Sequence, residues 1–584
     1  MVSLCSWVAC LLLLMPGPLD KADDQARYID GLSDRGLHEL IVDEAQSFLA
    51  DYSSHERANL VRYRLGTALF ELDRKNDARS YFATLARVGS FRFRAEACLR
   101  LGQCELDGGR NEQAAVALAT VLTLDAAYLH IPATYLLAEI DFSQQRWADA
   151  FPRYAEVLQG DPNGPYSHDA SSALAWSRYR LSDHEATASL IKSMLAGQLP
   201  DDNGGELRRE LQFLHGESLL ALDRPTAALA AYESVGTGPY ADGALRGAGF
   251  AHVQLNDQRS AAHSFEQLVE RFPSSPFASE AMFQLGVQRL ALNDGEGALD
   301  ALSSAVVVET AEIYYWRARA LTQLGRSDEA LTALDRADAS SPSDELAGHV
   351  QVARGDLLVA SGRSAEAAKA YAQAYSKGSS SGALHAAAVS SLNSGDPSTA
   401  LQLVDQLLAE GANDQDIHLT RGEALFALEQ WDLALGEFSK LPHSTRAASR
   451  QAWCHYQLGE LATAAQHFGA LATDHSGAAE AEEALAMEGR SHSEQGHQDQ
   501  AHAAWQRYLQ RFPEGGYGAE ALLGLARGSS GEMRIARLTT LLDGHSGSEQ
   551  APHALLELGD ALAEAGNLAQ AAAAYQRLLA EFPD

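Results

Sequence analysis

The stretch ERFPSSPFASEAMFQLG (Glu270–Gly286) contains a phrase that the chain uses more than once. Phe-Pro is followed by a short polar turn, an aromatic residue and a segment rich in Ala and Glu. The same order returns in QRFPEGGYGAEALLGLA (Gln510–Ala526), and Phe-Pro stands again in AEFPD (Ala580–Asp584). Proline cannot continue an α-helix. Each phrase therefore predicts a joint at which one helical unit ends and the next begins.

A small residue, Gly or Ala, recurs once in every unit, and we call its place the ladder position. From Gly66 to Gly559 the ladder advances 493 residues in 14 steps, about 35 residues each. A period of this length is typical of helical solenoids. The ladder residues are Gly66, Gly102, Ala138, Gly216, Gly249, Gly286, Ala318, Gly355, Ala388, Gly422, Ala452, Gly489 and Gly559, with less regular units around Ala175 and Gly524. An incomplete unit, GLHELIVDEAQSFLADY (Gly36–Tyr52), is expected to start the array.

Fixed offsets from the ladder position predict the two helices of each unit. Apolar residues at three- and four-residue spacing indicate an amphipathic first helix. A Gly, Asn or Asp seven residues after the ladder position, such as Gly325, Asn293 or Asp223, is typical of a helix end with positive φ. An Ala five residues further on predicts close contact between the two helices. A large side chain one turn later, such as Tyr232 or Trp505, is expected to fill the space beside that contact.

These residues resemble the tetratricopeptide repeat, and the resemblance covers nearly the whole chain. It implies an all-α fold: a right-handed superhelical solenoid of antiparallel helix pairs, with about 15 repeats. Arg178, Ser391 and His455 depart from the pattern, because a larger apolar or aromatic residue is usual at their position. Residues 23–584 are predicted to form one continuous array, with flex points expected near 196–206 or 376–383.

The N-terminal residues predict export. The apolar run from Val2 to Met15 is short for a membrane span and suits the core of a secretory signal, so residues 1–22 are assigned to a signal sequence. No Lys or Arg precedes the run and no small-x-small cleavage site follows it, which leaves a misassigned start as the alternative.

The joints at 272–281 and 512–521 are also similar to those of bacterial envelope proteins, namely the outer-membrane assembly lipoprotein of the BamD type and the periplasmic Tol-Pal coordinator. That resemblance implies a periplasmic or cell-envelope address.

The charge of the chain disfavours two classes of partner. There are 78 acidic and 45 basic residues, for a formal net charge of −33. Such a chain repels nucleic acid and anionic lipid, so neither is expected to bind directly. The simpler explanation of the acidic balance is solubility of a long helical protein.

No catalytic, cofactor or metal site is predicted. No Gly-rich phosphate loop follows a strand pattern, and HExxH does not occur; Gly-x-Ser-x-Gly occurs as GSSSG (378–382), in a connecting loop that follows no strand pattern and so makes no nucleophile elbow. His492, His497 and His502 form the densest histidine cluster, but their five-residue spacing puts them on different helix faces. The repeats use the chain from about residue 30 onward, which leaves no separate catalytic domain.

The predicted partner site is the groove lined by the first helices. In the family that the repeats resemble, the residue after the ladder position tends to face this groove. Those residues include Glu139, Glu217, Arg319, Asp356, Glu423, Arg490 and Asp560. Their mainly acidic character predicts a basic or amphipathic peptide, while the competing interpretation is solvated positions of an acidic protein. The paired Lys and Asn of chaperone-tail-binding repeats are absent.

Together these features predict a non-catalytic scaffold for protein–protein interaction in the assembly or organisation of the bacterial cell envelope. The alternatives are a cytoplasmic adaptor or regulator of the same fold, and an accessory superhelix of an envelope polysaccharide export or modification system. The segment AQAAAAYQRLLAEF (Ala569–Phe582) is expected to dock on a partner or a second copy, because solenoids usually finish with a polar capping helix.

Overall fold

The computed structural model describes residues 21–200, 205–304, 306–474 and 481–583. These residues form 32 α-helices and one short 3₁₀ turn, and they contain no β-strand. The prediction of an all-α fold is confirmed. The chain divides into two compact units, Met1–Val307 and Val308–Asp584.

The helices of unit 1 are α1 (Lys21–Asp34), α2 (His38–Asp51), α3 (Ala58–Glu71), α4 (Lys75–Ala86), α5 (Arg94–Asp107), α6 (Asn111–Leu122), α7 (His130–Ser143), α8 (Trp147–Gly160), α9 (Ser167–Arg180), α10 (His184–Ala196), α11 (Glu206–Ala221), α12 (Pro225–Val235), α13 (Ala241–Gln254), α14 (Gln258–Arg271), α15 (Ala278–Ala291) and α16 (Gly295–Leu302). Those of unit 2 are α17 (Ala311–Gln323), α18 (Ser327–Ala339), α19 (Asp344–Ala360), α20 (Ser364–Ser376), α21 (Ser381–Asn393), α22 (Pro397–Ala409), α23 (Gln415–Ala427), α24 (Trp431–Phe438), α25 (Thr445–Gln457), α26 (Leu461–Asp474), α27 (Ala481–Glu494), α28 (Gln498–Arg511), α29 (Gly518–Arg527), α30 (Gly531–Gly544), α31 (Ala551–Glu564) and α32 (Leu568–Glu581).

Each odd-numbered helix packs against the even-numbered helix that follows it, which makes sixteen pairs in the described residues. The incomplete first unit expected from the sequence is a full pair, because α1 precedes α2. Lys21 and Ala22, the last residues of the predicted signal sequence, lie in α1, and the rest of that segment lies outside the described residues. Its export function stays a prediction.

The ladder residue lies where the two helices of a pair approach most closely. A Cβ added at Gly422 would lie 2.5 Å from the ring of Phe438, and one added at Gly489 would lie 2.6 Å from the ring of Trp505. Carbon atoms normally approach to about 3.5–4.0 Å, so glycine leaves the space that the ring fills. The alanine predicted at the contact is buried in thirteen repeats: Ala78, Ala114, Ala150, Ala228, Ala261, Ala298, Ala330, Ala367, Ala400, Ala434, Ala464, Ala501 and Ala571.

In fourteen of the fifteen ladder repeats the first helix ends two residues before the predicted turn residue, whereas in the Gly524 repeat it ends at Arg527 and Gly531 is the first residue of α30. The residue seven positions after the ladder has a positive φ in all fifteen repeats of the ladder: Asp73, Gly109, Gln145, Ser182, Asp223, Asn256, Asn293, Gly325, Gly362, Gly395, Glu429, Gly459, Gly496, Gly531 and Gly566. A single left-handed residue reverses the chain after a helix. The turn tolerates Gln145 and Glu429, so its conformation is imposed by the packing of the pair and not by glycine alone.

Contacts with acidic side chains explain two of the departures from the repeat pattern. Arg178 and His455 lie three residues after the ladder position, and each faces an acid five residues further along the chain. The Arg178 Nη2 to Asp183 Oδ2 distance is 3.1 Å, and the His455 Nδ1 to Glu460 Oε2 distance is 2.6 Å. An acidic partner across the turn thus replaces the usual apolar contact. At the third departure the Ser391 hydroxyl is buried and donates to the Ala387 carbonyl.

Several sequence predictions about organisation remain predictions. Helices α10 and α11 flank the proposed flex point near 196–206, and α20 and α21 flank the one near 376–383, whereas the compact units divide between Val307 and Val308. Among the described helices, none combines the length and the apolar character that crossing a membrane requires.

Candidate functional site

The candidate site is the surface formed by the odd-numbered helices within each unit, which we call the first-helix face. Four of the seven predicted residues on it are acids that accept a hydrogen bond from a tyrosine fifteen residues later. The oxygen–oxygen distances are 2.7 Å for Tyr154–Glu139 and 2.6 Å for Tyr232–Glu217, Tyr371–Asp356 and Tyr575–Asp560. Each tyrosine belongs to the second helix of the same repeat, so these carboxylates tie the two helices of a pair together.

The sequence itself carried a signal for these pairs. Four of the fifteen ladder repeats have tyrosine at the large second-helix position, and in each of these four an acid follows the ladder residue. In the other eleven ladder repeats an acid follows the ladder residue only once, at Glu423. Burial, followed by the charge of Glu217 and its hydrogen bond, raises the pKa of Tyr232. Burial and the hydrogen bond to Asp356 likewise raise the pKa of Tyr371. The acids therefore have a structural role that a count of groove charges does not reveal.

Two further predicted residues form ion pairs. Glu423 accepts from Nε of Arg446 at 2.7 Å and from Nε of Arg450 at 3.2 Å, and its side chain is 12% exposed. Arg490 makes a two-pronged bond to Glu520, with nitrogen–oxygen distances of 2.8 and 2.6 Å. That bond raises the pKa of Arg490 despite partial burial. The charges of Glu423 and Arg490 are thus compensated by neighbouring residues.

Three of the predicted residues line clefts between successive first helices of unit 2. Arg319 and Asp356 lie in a cleft of 350 Å³ between α17 and α19, together with Tyr315 and His349. Arg319 is exposed there, and its Nη1 donates to the Tyr315 hydroxyl at 3.1 Å. Glu423 lies in a second cleft, of 510 Å³, lined by α21, α23 and the start of α25. The structure does not gather the seven predicted residues into one site, because they belong to separate repeats.

Sequence reasoning missed a double row of apolar side chains on the first-helix face. These residues stand three before and four after the ladder position, two helical turns apart, and therefore on one side of the helix. In unit 1 the half-buried members include Tyr63, Phe70, Tyr135, Phe142, Phe213, Leu220, Phe283 and Leu290. Their spacing was visible in the sequence, but their partial exposure was not.

The aromatic residue of the joint packs on this row. The ring of Tyr63 stacks on Phe93 with centroids 5.0 Å apart, and that of Tyr135 stacks on Tyr166 at 4.5 Å. In the opening stretch, Phe277 takes the same place beneath the guanidinium of Arg246, at 5.3 Å. The repeated joint thus secures one first helix to the next.

The histidines do not form a metal site within the described residues. The rings of His492 and His497 lie 6.3 Å apart, and no group of three or more His, Cys, Asp or Glu among the described residues could hold a metal ion.

At the C-terminal edge, Leu568 and Leu579 of α32 are exposed, and docking of that edge stays a prediction.

Two family models match the sequence of this chain. One, described as a tetratricopeptide repeat-like domain, matches residues 223–395. The other, described as a tetratricopeptide repeat, matches residues 63–128, 385–442 and 522–584. The chain carries tetratricopeptide repeats. The matched segments fall in both compact units, and the repeats indicate a protein–protein interaction scaffold, since such arrays present extended binding surfaces.

Solved structures are similar to the chain at low sequence identity, among them two of tetratricopeptide repeat proteins. A protein from Parabacteroides merdae is 15% identical over 43% of this chain and 93% of its own, with a TM-score of 0.30. The C-terminal part of a repeat protein from Cytophaga hutchinsonii is 17% identical over 42% of this chain and 99% of its own, with a TM-score of 0.36. In the Naa15/Naa10 structure bound to HypK-THB, the matching chain is 14% identical over 93% of this chain and 84% of its own, with a TM-score of 0.35. No curated protein matches the sequence.

Proposed function

We propose that this protein is a non-catalytic scaffold whose unit 2 clefts hold an extended segment of a partner protein. The observation that carries the proposal is the pair of clefts between successive first helices, lined by Tyr315, Arg319 and His349 in one and by Val389 and Asp416 in the other. Apolar walls with a few charged groups suit a polypeptide chain, whose side chains alternate in character.

The walls of these clefts are fixed before a ligand arrives. Asp356 is held by Tyr371, and Glu423 is held by Arg446 and Arg450. Because these side chains are already ordered, binding has to order mainly the partner segment, which lowers the entropic cost of association.

Site-specific photocrosslinking tests this proposal. A photoreactive residue at Val389, which is 36% exposed in the larger cleft, is expected to capture the partner. The same residue at Leu433, 58% exposed on the second helix α24, is the matched control. Ala427→Trp, which fills the cleft from an exposed position, should abolish capture from Val389. Equal capture from Leu433, or capture that survives Ala427→Trp, would contradict a cleft-bound partner.

The proposal extends to an address in the bacterial cell envelope. Its support is the apolar run from Val2 to Met15 and the likeness of the joints to those of envelope repeat proteins. Fractionation of the native host and N-terminal sequencing of the mature chain test it. A chain that starts between about residues 16 and 25 in the envelope fraction is the expected result. A chain that keeps Met1 in the cytosol would refute the address and leave the cytoplasmic adaptor.

A further inference from the structure

A cluster of aromatic rings and carboxylates lies on the first-helix face of unit 1, whereas the clefts described above belong to unit 2. It spans two neighbouring first helices, α9 and α11, which contact each other directly, and the joint before α13. We call it the Trp176 cluster. It consists of the rings of Trp176, Tyr179, Phe213 and Tyr240 and the carboxylates of Glu210 and Glu217.

One carboxylate oxygen connects the rings of neighbouring repeats. The indole Nε1 of Trp176 donates to Oε1 of Glu210 at 2.7 Å, and the hydroxyl of Tyr240 donates to the same oxygen at 2.8 Å. Glu210 is 8% exposed, so this junction is nearly closed to solvent. The rings are therefore held in place by packing and by a shared acceptor.

The four rings remain half-buried, so part of each faces outward. Trp176 and Tyr179 meet edge to face, with centroids 5.9 Å apart, and Phe213 stacks on Tyr240 at 5.7 Å. Aromatic faces carry a negative electrostatic potential and attract cations. The guanidinium of Arg180 already lies 5.5 Å from the Trp176 ring, so this ring accommodates a cation within the chain itself.

The carboxylates around the rings are hydrogen-bonded to neutral donors. Within the described residues, Glu210 and Glu217 form no ion pair; they accept hydrogen bonds from Trp176, Tyr240 and Tyr232. Arg246 faces Glu217 from α13, but its guanidinium is engaged by both oxygens of Glu280, at 2.5 and 3.3 Å. The cluster differs in this respect from Glu423, which two arginines compensate.

We propose that the Trp176 cluster binds a lysine or arginine side chain from a partner polypeptide. The aliphatic stem of such a residue would pack on the rings, and its charged head would lie beside Glu210 and Glu217. The inference rests on the proposed scaffold function, because a partner must present this side chain, but it concerns a surface separate from the unit 2 clefts.

The test uses the full chain and a short fluorescein-labelled peptide of alternating Leu and Lys, with a Leu and Glu peptide for comparison. Fluorescence anisotropy should detect the Lys peptide only, with an affinity that falls as salt is added. Trp176→Leu should weaken binding about 3- to 30-fold, because the ring contributes a cation–π contact. Glu217→Gln keeps an acceptor for Tyr232 and should weaken binding about 2- to 5-fold through loss of charge.

Two variants in equivalent registers serve as controls. Trp453, like Trp176, directly follows a ladder residue, so Trp453→Leu makes the same change in unit 2. Glu139, like Glu217, accepts a hydrogen bond from a tyrosine, so Glu139→Gln is the match for Glu217→Gln. Circular dichroism checks that all four variants fold. Weakening confined to the Trp176 and Glu217 variants supports the proposal. Equal weakening by the controls, or equal binding of the Glu peptide, overturns it and leaves the crosslinking test of the unit 2 clefts unaffected.

Discussion

Replacing Gly422 with alanine sets two effects of known size against each other. In an open helix, Gly→Ala stabilises by about 1 kcal/mol, because alanine loses less backbone entropy on folding. At Gly422 the new Cβ would lie 2.5, 2.8 and 2.9 Å from three ring atoms of Phe438. The ring must then withdraw by about 1 Å to restore ordinary contact.

Phe438 cannot make that movement without cost. Its side chain is fully buried against Leu425 and Ala434, and overpacking of this kind typically costs about 1–3 kcal/mol. We therefore expect Gly422→Ala to lower the free energy of unfolding of this repeat by up to about 2 kcal/mol after the helix gain is subtracted. The steric term outweighs the entropic one.

Gly436 provides the control within the same repeat. It lies in α24, and an added Cβ would meet nothing within 4 Å, so Gly436→Ala should stabilise by up to about 1 kcal/mol. Long repeat arrays do not unfold in one step, so the readout is amide hydrogen exchange of α23 and α24. In a Phe438→Leu background the penalty at Gly422 should shrink. If both Gly→Ala variants protect these helices equally, close approach at the ladder position is not the reason for glycine.

Three further predictions follow from titratable groups. Burial raises the pKa of Glu437, but hydrogen bonds from Lys440, His418 and Arg421 outweigh it and hold the pKa below its ordinary 4.5. The contribution of this carboxylate to stability is therefore present above that pH and lost as pH falls. Glu437→Gln should remove this acid dependence of α24 amide exchange, at a cost of about 1–3 kcal/mol at neutral pH. Burial and the hydrogen bond to Glu494 raise the pKa of Tyr456 to about 12 from 10.0. The contribution of Tyr456 to stability is therefore present below pH 10 and lost as pH rises through about 12. A spectrophotometric titration in which Glu494→Gln leaves that pKa unchanged would refute the pairing. Burial raises the pKa of the Cys454 thiol to about 12. We therefore expect alkylation at neutral pH, followed by site-resolved mass spectrometry, to occur only when the repeat opens. Rapid labelling of Cys454 in the folded chain would count against this packing.

The ladder offsets predicted the helix pairs because they describe contacts inside one repeat. The residue that turns the chain, the small residue at the contact and the large residue beside it lie within about one repeat length, so their spacing alone indicates how they meet. The first pair was underestimated because Ile29 takes the ladder position of α1, where a Gly or Ala was expected.

The site was predicted less well than the fold. Choosing the residue after the ladder position identified side chains of the first-helix face, and Arg319, Asp356 and Glu423 do line clefts. The five acids among the predicted residues were expected to be free. Four of them accept hydrogen bonds from tyrosines, and Glu423 is paired with two arginines. Charge alone could not identify these partners.

The sequence by itself determined the helices, their ends and their repeated packing, since propensity, turn conformation and side-chain size act over short distances along the chain. Only the tertiary structure decided which polar groups are paired and which face outward. Trp176 and Glu210 stand 34 residues apart, and only the packing of α9 against α11 brings the indole within hydrogen-bonding distance of the carboxylate. Recognition depends on such pairs, because the surface open to a partner is what remains after internal partners are satisfied.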